Sequence, residues 1–387
     1  MRRIMSSVRK RSWKTPSGEK RSAWIVDYRD AAGKRRAKQF ARKKDADSWA
    51  VNALAEVQQG VHTPDSISTT VAKAAELWLD SVRASDREPT TIAAYEQHIR
   101  LHIVPRCGAQ KLSQLTAPKV RALLDSWLAD LSRPMATRVF RSFKAILTDA
   151  QARALVGQNV ALAVKVPKAP RKRRQVSPPS KAEIRAILEA AAASKDLMGR
   201  AIVELVIFTG MRASEVRGLA WSAINLKNGS VRVEQRADAK GQLGPPKSAS
   251  GFREIPIPSR VVSTLREWKM ACPFHPLELV FPSQKGRVLS HTVMAKNHLK
   301  PILVAAGVTK RGEREDADVA KYTAHIFRHA AASLWIDQRL NPKRVQTLVG
   351  HGSIQVTFDI YGHLFEQADR GAADALAIER ALFANTD

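Results

Sequence analysis

Residues 325–364 read HIFRHAAASLWIDQRLNPKRVQTLVGHGSIQVTFDIYGHL, and this stretch places two basic side-chain types and a tyrosine within 40 residues. His325 and Arg328 are three residues apart, so a helix presents both on one face. His351 follows a glycine that can end the preceding helix, and Tyr361 comes ten residues later. Both imidazoles can contact a phosphate, and the tyrosine offers a hydroxyl for covalent catalysis.

Two upstream segments supply the further positive charges that attack of a hydroxyl on a phosphate requires. They are TGMRASEVRGL at residues 209–219 and PPKSASGFREIPI at residues 245–257. When a nucleophile attacks a phosphodiester, negative charge grows on two non-bridging oxygens, and the guanidinium forks of Arg212 and Arg328 match them. The leaving 5′ oxygen needs a proton, which Lys247 could bring from a loop between two predicted strands. Lys240 lies in the same predicted loop and is the alternative proton donor.

No metal or cofactor site is readable in the sequence. The phosphate-binding patterns G-x-x-x-x-G-K-[ST] and G-x-G-x-x-G are absent, and Cys107 and Cys272 have no Cys or His partner at metal spacing. We therefore expect a reaction carried by side chains alone. The two cysteines also favour a reducing cytoplasm, and no apolar run is long enough for a membrane helix or a secretory signal.

The charge balance indicates a polyanionic partner, because 64 Lys and Arg stand against 36 Asp and Glu, a net charge of +28. A length of 387 residues predicts two or three domains. Residues 1–44 hold sixteen Lys or Arg and three acids, and we expect strands at 23–29 and 35–40 followed by a helix at 45–59. This segment is either a reader of a DNA groove or a solvated basic arm.

We predict a multidomain fold that is mainly α with small β elements. After a break at 62–68, the helical apolar period predicts an all-helical domain over 69–165, with helices near 71–82, 90–102, 118–130 and 136–155. Four prolines and five basic residues predict a linker over 166–179. A capping box at Ser180 to Glu183 opens a last, mixed α+β domain over 180–387, with strands at 230–234 and 253–258.

In this order the motifs resemble those of the tyrosine recombinases, or phage integrases, whose pattern is Arg, Lys, His-x-x-Arg, His or Trp, then Tyr. The resemblance covers residues 177 to about 364 by motif. It implies Arg212 and Arg328 as phosphate clamps, Lys247 as general acid, His325 as general acid/base, His351 as a phosphate hydrogen-bond donor, Tyr361 as nucleophile and Glu215 as an acidic support residue. Pro-Lys-Ser ahead of Arg253 resembles the family's hairpin and favours Lys247 over Lys240.

The same resemblance implies an arm-type DNA-binding domain at 1–62, a core-binding domain at 69–165 and a catalytic domain at 180–387. The implied reaction forms a 3′-phosphotyrosine, releases a 5′-hydroxyl and exchanges strands, without metal or cofactor, to integrate or excise a prophage or other mobile element. Its partners would be double-stranded attachment sites, held by four protomers on two duplexes. An accessory DNA-bending protein or a directionality factor could set the direction.

Two other functions compete with this one. A DNA-binding regulator that does not cut would have no need of Tyr361, and a type IB topoisomerase would act as a monomer without an arm-like N-terminus. Among the remaining groups, His329 and His363 are expected to pack or to form supporting hydrogen bonds, and Tyr95 and Tyr322 to be structural. An amphipathic helix from about residue 366 would dock either on its own domain or on a neighbouring protomer.

Overall fold

The computed structural model describes residues 7–30, 32–167, 177–311 and 318–368. The chain divides into two compact units, residues 1–170 and 171–387. Both are mainly helical with small sheets, which confirms the predicted fold class. In the described parts of the chain, no helix is long and apolar enough to cross a membrane.

The first unit begins with a three-stranded antiparallel sheet in the order β1-β2-β3, followed by a helix. The elements are β1 (Ser7–Lys14), β2 (Lys20–Arg29), β3 (Arg35–Phe40) and α1 (Lys43–Gln58). Strand β1 was not predicted, because its largely exposed sequence SVRKRSWK lacks the apolar alternation of a half-buried strand. It is an edge strand, and backbone pairing with β2 holds it in place.

The rest of this unit is helical, as the apolar period predicted. It comprises α2 (Val71–Ala84), α3 (Pro89–His98), a π-helical turn (Ile99–Ile103), α4 (Val104–Cys107), a 3₁₀ turn (Leu112–Gln114), α5 (Ala117–Asp130), α6 (Arg133–Ala152) and a 3₁₀ turn (Val160–Ala163). Trp127, Phe140 and Phe143 are fully buried in its core. Pro118 and Pro134 lie in the first turns of α5 and α6, where a missing N–H costs nothing.

Residues 61–68 join the sheet to these helices through specific contacts. The Asp65 carboxylate accepts hydrogen bonds from Lys38 Nζ and Ser113 Oγ, both at 2.6 Å. His62 contacts the Tyr28 hydroxyl at 3.0 Å and the Glu56 carboxylate at 2.9 Å. The break predicted at 62–68 is therefore a hydrogen-bonded connection.

The first helix of the second unit begins after Ser180, where both hydrogen bonds of the predicted capping box are present. Its helices are α7 (Lys181–Ala193), α8 (Leu197–Thr209), α9 (Ala213–Arg217), α10 (Ser259–Ala271), α11 (His291–Val293), α12 (Lys300–Ala305), α13 (Ala324–Asp337), α14 (Pro342–Val349) and α15 (Ile354–Ala368). Helix α8 is buried almost along its whole length and lies at the centre of the core, where it contacts α7, α10 and α13.

Three small sheets complete this unit. Their strands are β4 (Ile224–Asn225), β5 (Ser230–Val233), β6 (Arg236–Ala237), β7 (Leu243–Gly244), β8 (Arg253–Pro256), β9 (Thr309–Arg311) and β10 (Asp318–Ala320). The predicted strands at 230–234 and 253–258 pair as β5 and β8, with β4 at the edge, while β6-β7 and β9-β10 are separate hairpins. The last two hairpins were not predicted, since strands of two or three residues carry no readable period.

Only residues 366–368 of the helix predicted from about residue 366 are described. They end helix α15, which begins at Ile354 and contacts α13 and α14. Tyr361 therefore lies on a helix that was not predicted. Residues 369–387, which carry Leu376, Ile378, Leu382 and Phe383, lie outside the described residues, as do residues 168–176 of the predicted linker.

Candidate active site

The end of α8 positions the first arginine of the site. Gly210 ends α8 in the left-handed conformation, with φ of 59°, and a Cβ there would lie 3.2 Å from the Cβ of Ala331 on α13. Glycine is favoured because it adopts this φ without strain and allows the close approach. Arg212 follows at the N-cap of α9, next to the helix that carries Arg328.

Arg212 is the partly open cation of the cluster, with 38% of its side chain exposed. Its Nη1 donates to Glu215 Oε1 at 2.7 Å and its Nη2 donates to the Gly350 carbonyl at 2.9 Å. The backbone amide of Arg212 also donates to Glu215 Oε2 at 2.8 Å. These contacts fix the guanidinium while leaving part of it accessible to a phosphate.

Glu215 is buried, with only 3% of its side chain exposed, and it binds two arginines. Burial alone would raise the pKa of this carboxyl. The hydrogen bonds and positive charge of Arg253, together with those of Arg212, outweigh burial and hold the pKa below its ordinary value. Glu215 therefore stays ionised and supports Arg212.

Arg328 is buried on α13 and donates to two helix-terminal carbonyls, Gly210 at 2.9 Å and Val349. Burial, followed by the charge of Arg212, lowers the pKa of Arg328 to about 9. A guanidinium with that pKa is still a cation at neutral pH. The two predicted clamps therefore form an adjacent pair of positive charges, one partly open and one buried.

The two predicted histidines differ in their surroundings. His325 lies in the first turn of α13, where desolvation by the surrounding protein and the charges of Arg328 and Arg212 lower its pKa. His351 follows the left-handed Gly350 at the end of α14. Its Nδ1 lies 3.0 Å from the Thr357 hydroxyl, and burial with the nearby arginines lowers its pKa to about 4. Both imidazoles are therefore neutral at pH 7.

Tyr361 is almost completely buried, with 1% exposed, in a small apolar cluster whose other buried members are Ala332, Ile336, Val345 and Val349. Its hydroxyl lies 2.8 Å from Nδ1 of His329, and its ring is parallel to that of His351, with centroids 6.3 Å apart. Burial raises the pKa of the phenol to about 12, although Arg328 acts in the opposite direction. The phenol is thus neutral and covered.

His329 and Arg253 are two polar residues that we did not predict as members of the site. His329 was expected to pack or to form a supporting hydrogen bond, and its contact with Tyr361 is of that kind. Its position one turn after His325 on α13 was the available signal. Arg253 entered only as part of the hairpin pattern, and no local feature distinguishes it from an exposed strand arginine.

Lys247 is the predicted residue that the described structure does not join to the others. It is exposed between β7 and β8, and it makes no hydrogen bond or ion pair with the described residues. Lys240 lies in the turn of the β6-β7 hairpin, where its amide donates to Asp238. Of the two lysines, Lys247 is closer in sequence to Gly251, whose carbonyl accepts from Arg253.

The low pKa of His329 predicts an acid-sensitive unit. Burial, then His325 and Arg328, lower the pKa of His329 to about 4, whereas an unfolded histidine titrates near ~6.5. Between these values the unfolded chain binds the additional proton, so stability is complete above about pH 6.5 and falls as the pH drops towards about 4. His329→Asn keeps an acceptor for Tyr361 but removes this titration.

Urea unfolding of the full chain at pH 7 and pH 5 measures the effect. Between pH 7 and pH 5, we expect the free energy of unfolding to fall by about 1 to 2 kcal/mol more in the wild type than in His329→Asn. This range allows for the partial exposure of the ring. Equal losses in the two proteins would contradict the linkage.

The charges of the site fit phosphate chemistry better than metal binding. Within the described residues, no group of three or more His, Cys, Asp and Glu side chains could hold a metal ion. A pair of arginines, two neutral imidazoles and a tyrosine lie instead within electrostatic reach of one another, since Arg328 acts on the titration of His325, His351 and Tyr361. Such a cluster is suited to the stabilisation of negative charge that develops on a phosphate.

Comparison with known proteins identifies the family. The model of the phage integrase family matches residues 180–368, and that of the phage integrase N-terminal SAM-like domain matches residues 70–128. The chain belongs to this family, the tyrosine recombinases. It is 29% identical over 372 residues to an integrase of Streptomyces ambofaciens, with 89% of this chain and 90% of the relative covered. It is 26% identical over 381 residues to a tyrosine recombinase XerC-like protein of Caldanaerobacter subterraneus, with 90% and 93% covered.

Solved structures show the same fold. The integrase of the Tn1549 transposon, in complex with transposon right-end DNA, has a TM-score of 0.61 at 19% identity, with 82% of this chain and 100% of that chain covered. The lambda integrase tetramer bound to a Holliday junction has a TM-score of 0.56 at 20% identity, with 88% and 95% covered. At these identities the likeness is one of fold.

Proposed function

We propose that this recombinase cleaves and rejoins DNA through a 3′-phosphotyrosine on Tyr361, and that it integrates or excises a prophage or other mobile element. The observation that carries the proposal is the position of Tyr361, whose hydroxyl contacts His329 beside the buried cation Arg328. A site-specific recombinase needs a nucleophile next to fixed cations, and this tyrosine has that surrounding.

In the proposed reaction Arg212 and Arg328 bind the non-bridging oxygens of the scissile phosphate, and His325 and His351 donate further hydrogen bonds or move protons at the same group. The phenol oxygen of Tyr361 attacks phosphorus and loses its proton to a neighbouring base. The bond from phosphorus to the 5′ oxygen breaks, and Lys247 supplies the proton to that oxygen. Attack by a 5′-hydroxyl of the partner duplex reverses these steps and conserves the phosphodiester energy.

The burial of Tyr361 adds a requirement to this scheme. A phosphodiester cannot reach a hydroxyl that is 1% exposed and hydrogen-bonded to His329. We infer that α15 shifts when DNA binds, so that the phenol leaves its apolar cluster and reaches the phosphate bound by the arginines. The small size of that cluster supports this inference, because few apolar contacts oppose the movement.

The proposed partners are double-stranded attachment sites. Residues 1–62 would bind arm-type sites, residues 69–165 the core site, residues 166–179 would be the basic linker and residues 180–387 would carry out catalysis. The net charge of +28 supports a polyanionic partner. The DNA complex of the Tn1549 integrase supports a DNA partner, and the lambda integrase tetramer bound to a Holliday junction supports our proposal of four protomers on two duplexes. An accessory DNA-bending protein or a directionality factor would set the outcome of exchange.

The experiment that tests the proposal is covalent trapping on nicked DNA. Duplexes are selected by the chain from a randomised library, nicked at successive positions and incubated with the wild-type protein without metal or nucleotide. Loss of the short fragment beyond the nick prevents religation, so we expect a protein–DNA adduct that survives denaturation and that peptide mass mapping places on Tyr361. An adduct on another residue, or no adduct with any selected duplex, would refute it.

A further inference from the structure

Arg253 is a buried arginine at the start of β8, and 1% of its side chain is exposed. Its guanidinium forms a paired contact with Glu215, in which Nη2 donates to Oε2 at 2.8 Å and Nη1 donates to Oε1 at 3.2 Å. Two further N–H groups donate to the carbonyls of Gly251 at 2.9 Å and Leu348 at 2.8 Å. Four of the five N–H groups of Arg253 therefore bind the protein, and its burial keeps the side chain from contacting DNA.

The carboxylate of Glu215 is shared between two guanidiniums. Arg212 reaches it at 2.7 Å through Nη1, and Arg253 binds both of its oxygens. The cluster thus holds two positive charges and one negative charge, and of the two arginines only Arg212 is substantially exposed. The excess positive charge is available at the exposed member, which is where a phosphate would approach.

We propose that Arg253 is a positioning residue that holds the charge of Glu215, so that Arg212 keeps its own charge for the scissile phosphate. The inference rests on the proposed function, because it assigns a role within the same site. Without Arg253, the carboxylate would have Arg212 as its sole guanidinium partner among the described residues. The two would form a neutral pair, and the guanidinium would turn from the Gly350 carbonyl towards the acid.

Arg253 also has a packing role, and the test must separate the two. A Cβ added at Gly350 would lie 3.1 Å from Arg253 Nη1 and 3.2 Å from its Cδ, so the side chain lies directly under the turn that carries His351. Removing one member of a buried ion pair destabilises a protein by leaving the other charge uncompensated. A loss of activity in one variant would therefore not identify the cause.

A double-mutant cycle provides the first measurement. Single-turnover cleavage of the selected suicide duplex is compared for wild type, Arg253→Met, Glu215→Gln and the double variant, below the melting temperature of each. We expect Arg253→Met to be slower by roughly 100-fold, comparable to the loss of one charge-stabilising donor. The double variant should recover to within roughly tenfold of wild type, because the unbalanced carboxylate is gone. A double variant as slow as Arg253→Met or slower would overturn the proposal.

A neutral substrate gives a readout that packing alone does not move. A methylphosphonate at the scissile position lacks one negative oxygen, so its reaction depends less on the charge of Arg212. We expect the defect of Arg253→Met to shrink at least roughly tenfold on this substrate. Arg217→Met is the matched control, since Arg217 is a buried arginine of the same unit that donates to the carbonyls of Leu289 and Asp238. For Arg217→Met, the ratio of the cleavage rates on the two substrates should equal the ratio for the wild type. If Arg253→Met also has the wild-type ratio, the proposed role is refuted.

The salt dependence of DNA affinity tests the same role without cleavage. Each neutralised phosphate contributes about 0.9 to the slope of log affinity against log salt. Arg253→Met should make this slope shallower by about 0.9, and the double variant should restore the wild-type slope. If the wild type forms no adduct, the proposed function fails, and this slope still decides the role of Arg253. An unchanged slope in Arg253→Met would overturn the inference even if the wild type cleaves.

Discussion

Tyr361→Phe is expected to abolish the covalent protein–DNA complex, a loss of roughly 10⁴-fold or more in cleavage rate, as seen when a nucleophile is deleted. The change removes one oxygen atom, and the phenyl ring still fills the cluster between α13 and α15. Only the hydrogen bond to His329 is lost, which costs about 1 kcal/mol of stability. DNA affinity should therefore remain near that of the wild type, and gel shift and trapping on the same duplex measure the two quantities.

Tyr322→Phe is the matched control for this prediction. Its hydroxyl contacts the Glu183 carboxylate at 3.2 Å, so the substitution also deletes one hydrogen-bonded phenol oxygen in the same unit. We expect trapping to continue at close to the wild-type rate. Equal trapping by Tyr361→Phe, or loss of trapping in Tyr322→Phe, would show that the nucleophile is assigned to the wrong residue.

Lysine substitutions at the two clamps should separate catalysis from stability. Arg212→Lys keeps a positive charge but loses the planar fork that can match two phosphate oxygens, so cleavage should slow by roughly 10²- to 10³-fold. Because Arg212 is 38% exposed, water can replace its lost contacts, and the melting temperature should change little. Single-turnover cleavage and thermal unfolding of the full chain measure the two effects.

Arg328→Lys should slow cleavage at least as much as Arg212→Lys does, and it should also destabilise the protein. Arg328 is buried and donates to the carbonyls of Gly210 and Val349, which end α8 and α14. A lysine ammonium cannot reproduce the fork between them, and a buried carbonyl left without a donor costs about 1 to 3 kcal/mol. Equal stability of the two lysine variants would contradict the difference in burial on which the prediction depends.

Many candidate site residues could be predicted, because residue type and spacing along the chain indicate which side chains share a helix face and where helices end. His325 and Arg328 share a helix face at any location, and Gly350 and Ser180 mark helix ends through local chemistry. The apolar period likewise predicted helices such as α2 and α6. These features depend on interactions within a few residues, which a sequence displays directly.

The contacts that define the environment of the site join distant parts of the chain. Arg212 and Gly350 are 138 residues apart, and Arg253 and Glu215 are 38 apart. No local period indicates that Arg253 is buried, that α13 and α14 cover Tyr361 or that His329 reaches its hydroxyl. The edge strand β1 was missed for a related reason, because pairing with β2, and not its own apolar pattern, makes it a strand.

The sequence by itself therefore determined the mainly helical class, the strongly basic charge and the identities of the candidate reactive groups. Only the tertiary structure decided which cations are open or buried, which acid they share and how the phenol is covered. The physical reason is that burial and charge balance depend on all neighbours in space, whereas helix periods and capping motifs depend on neighbours along the chain.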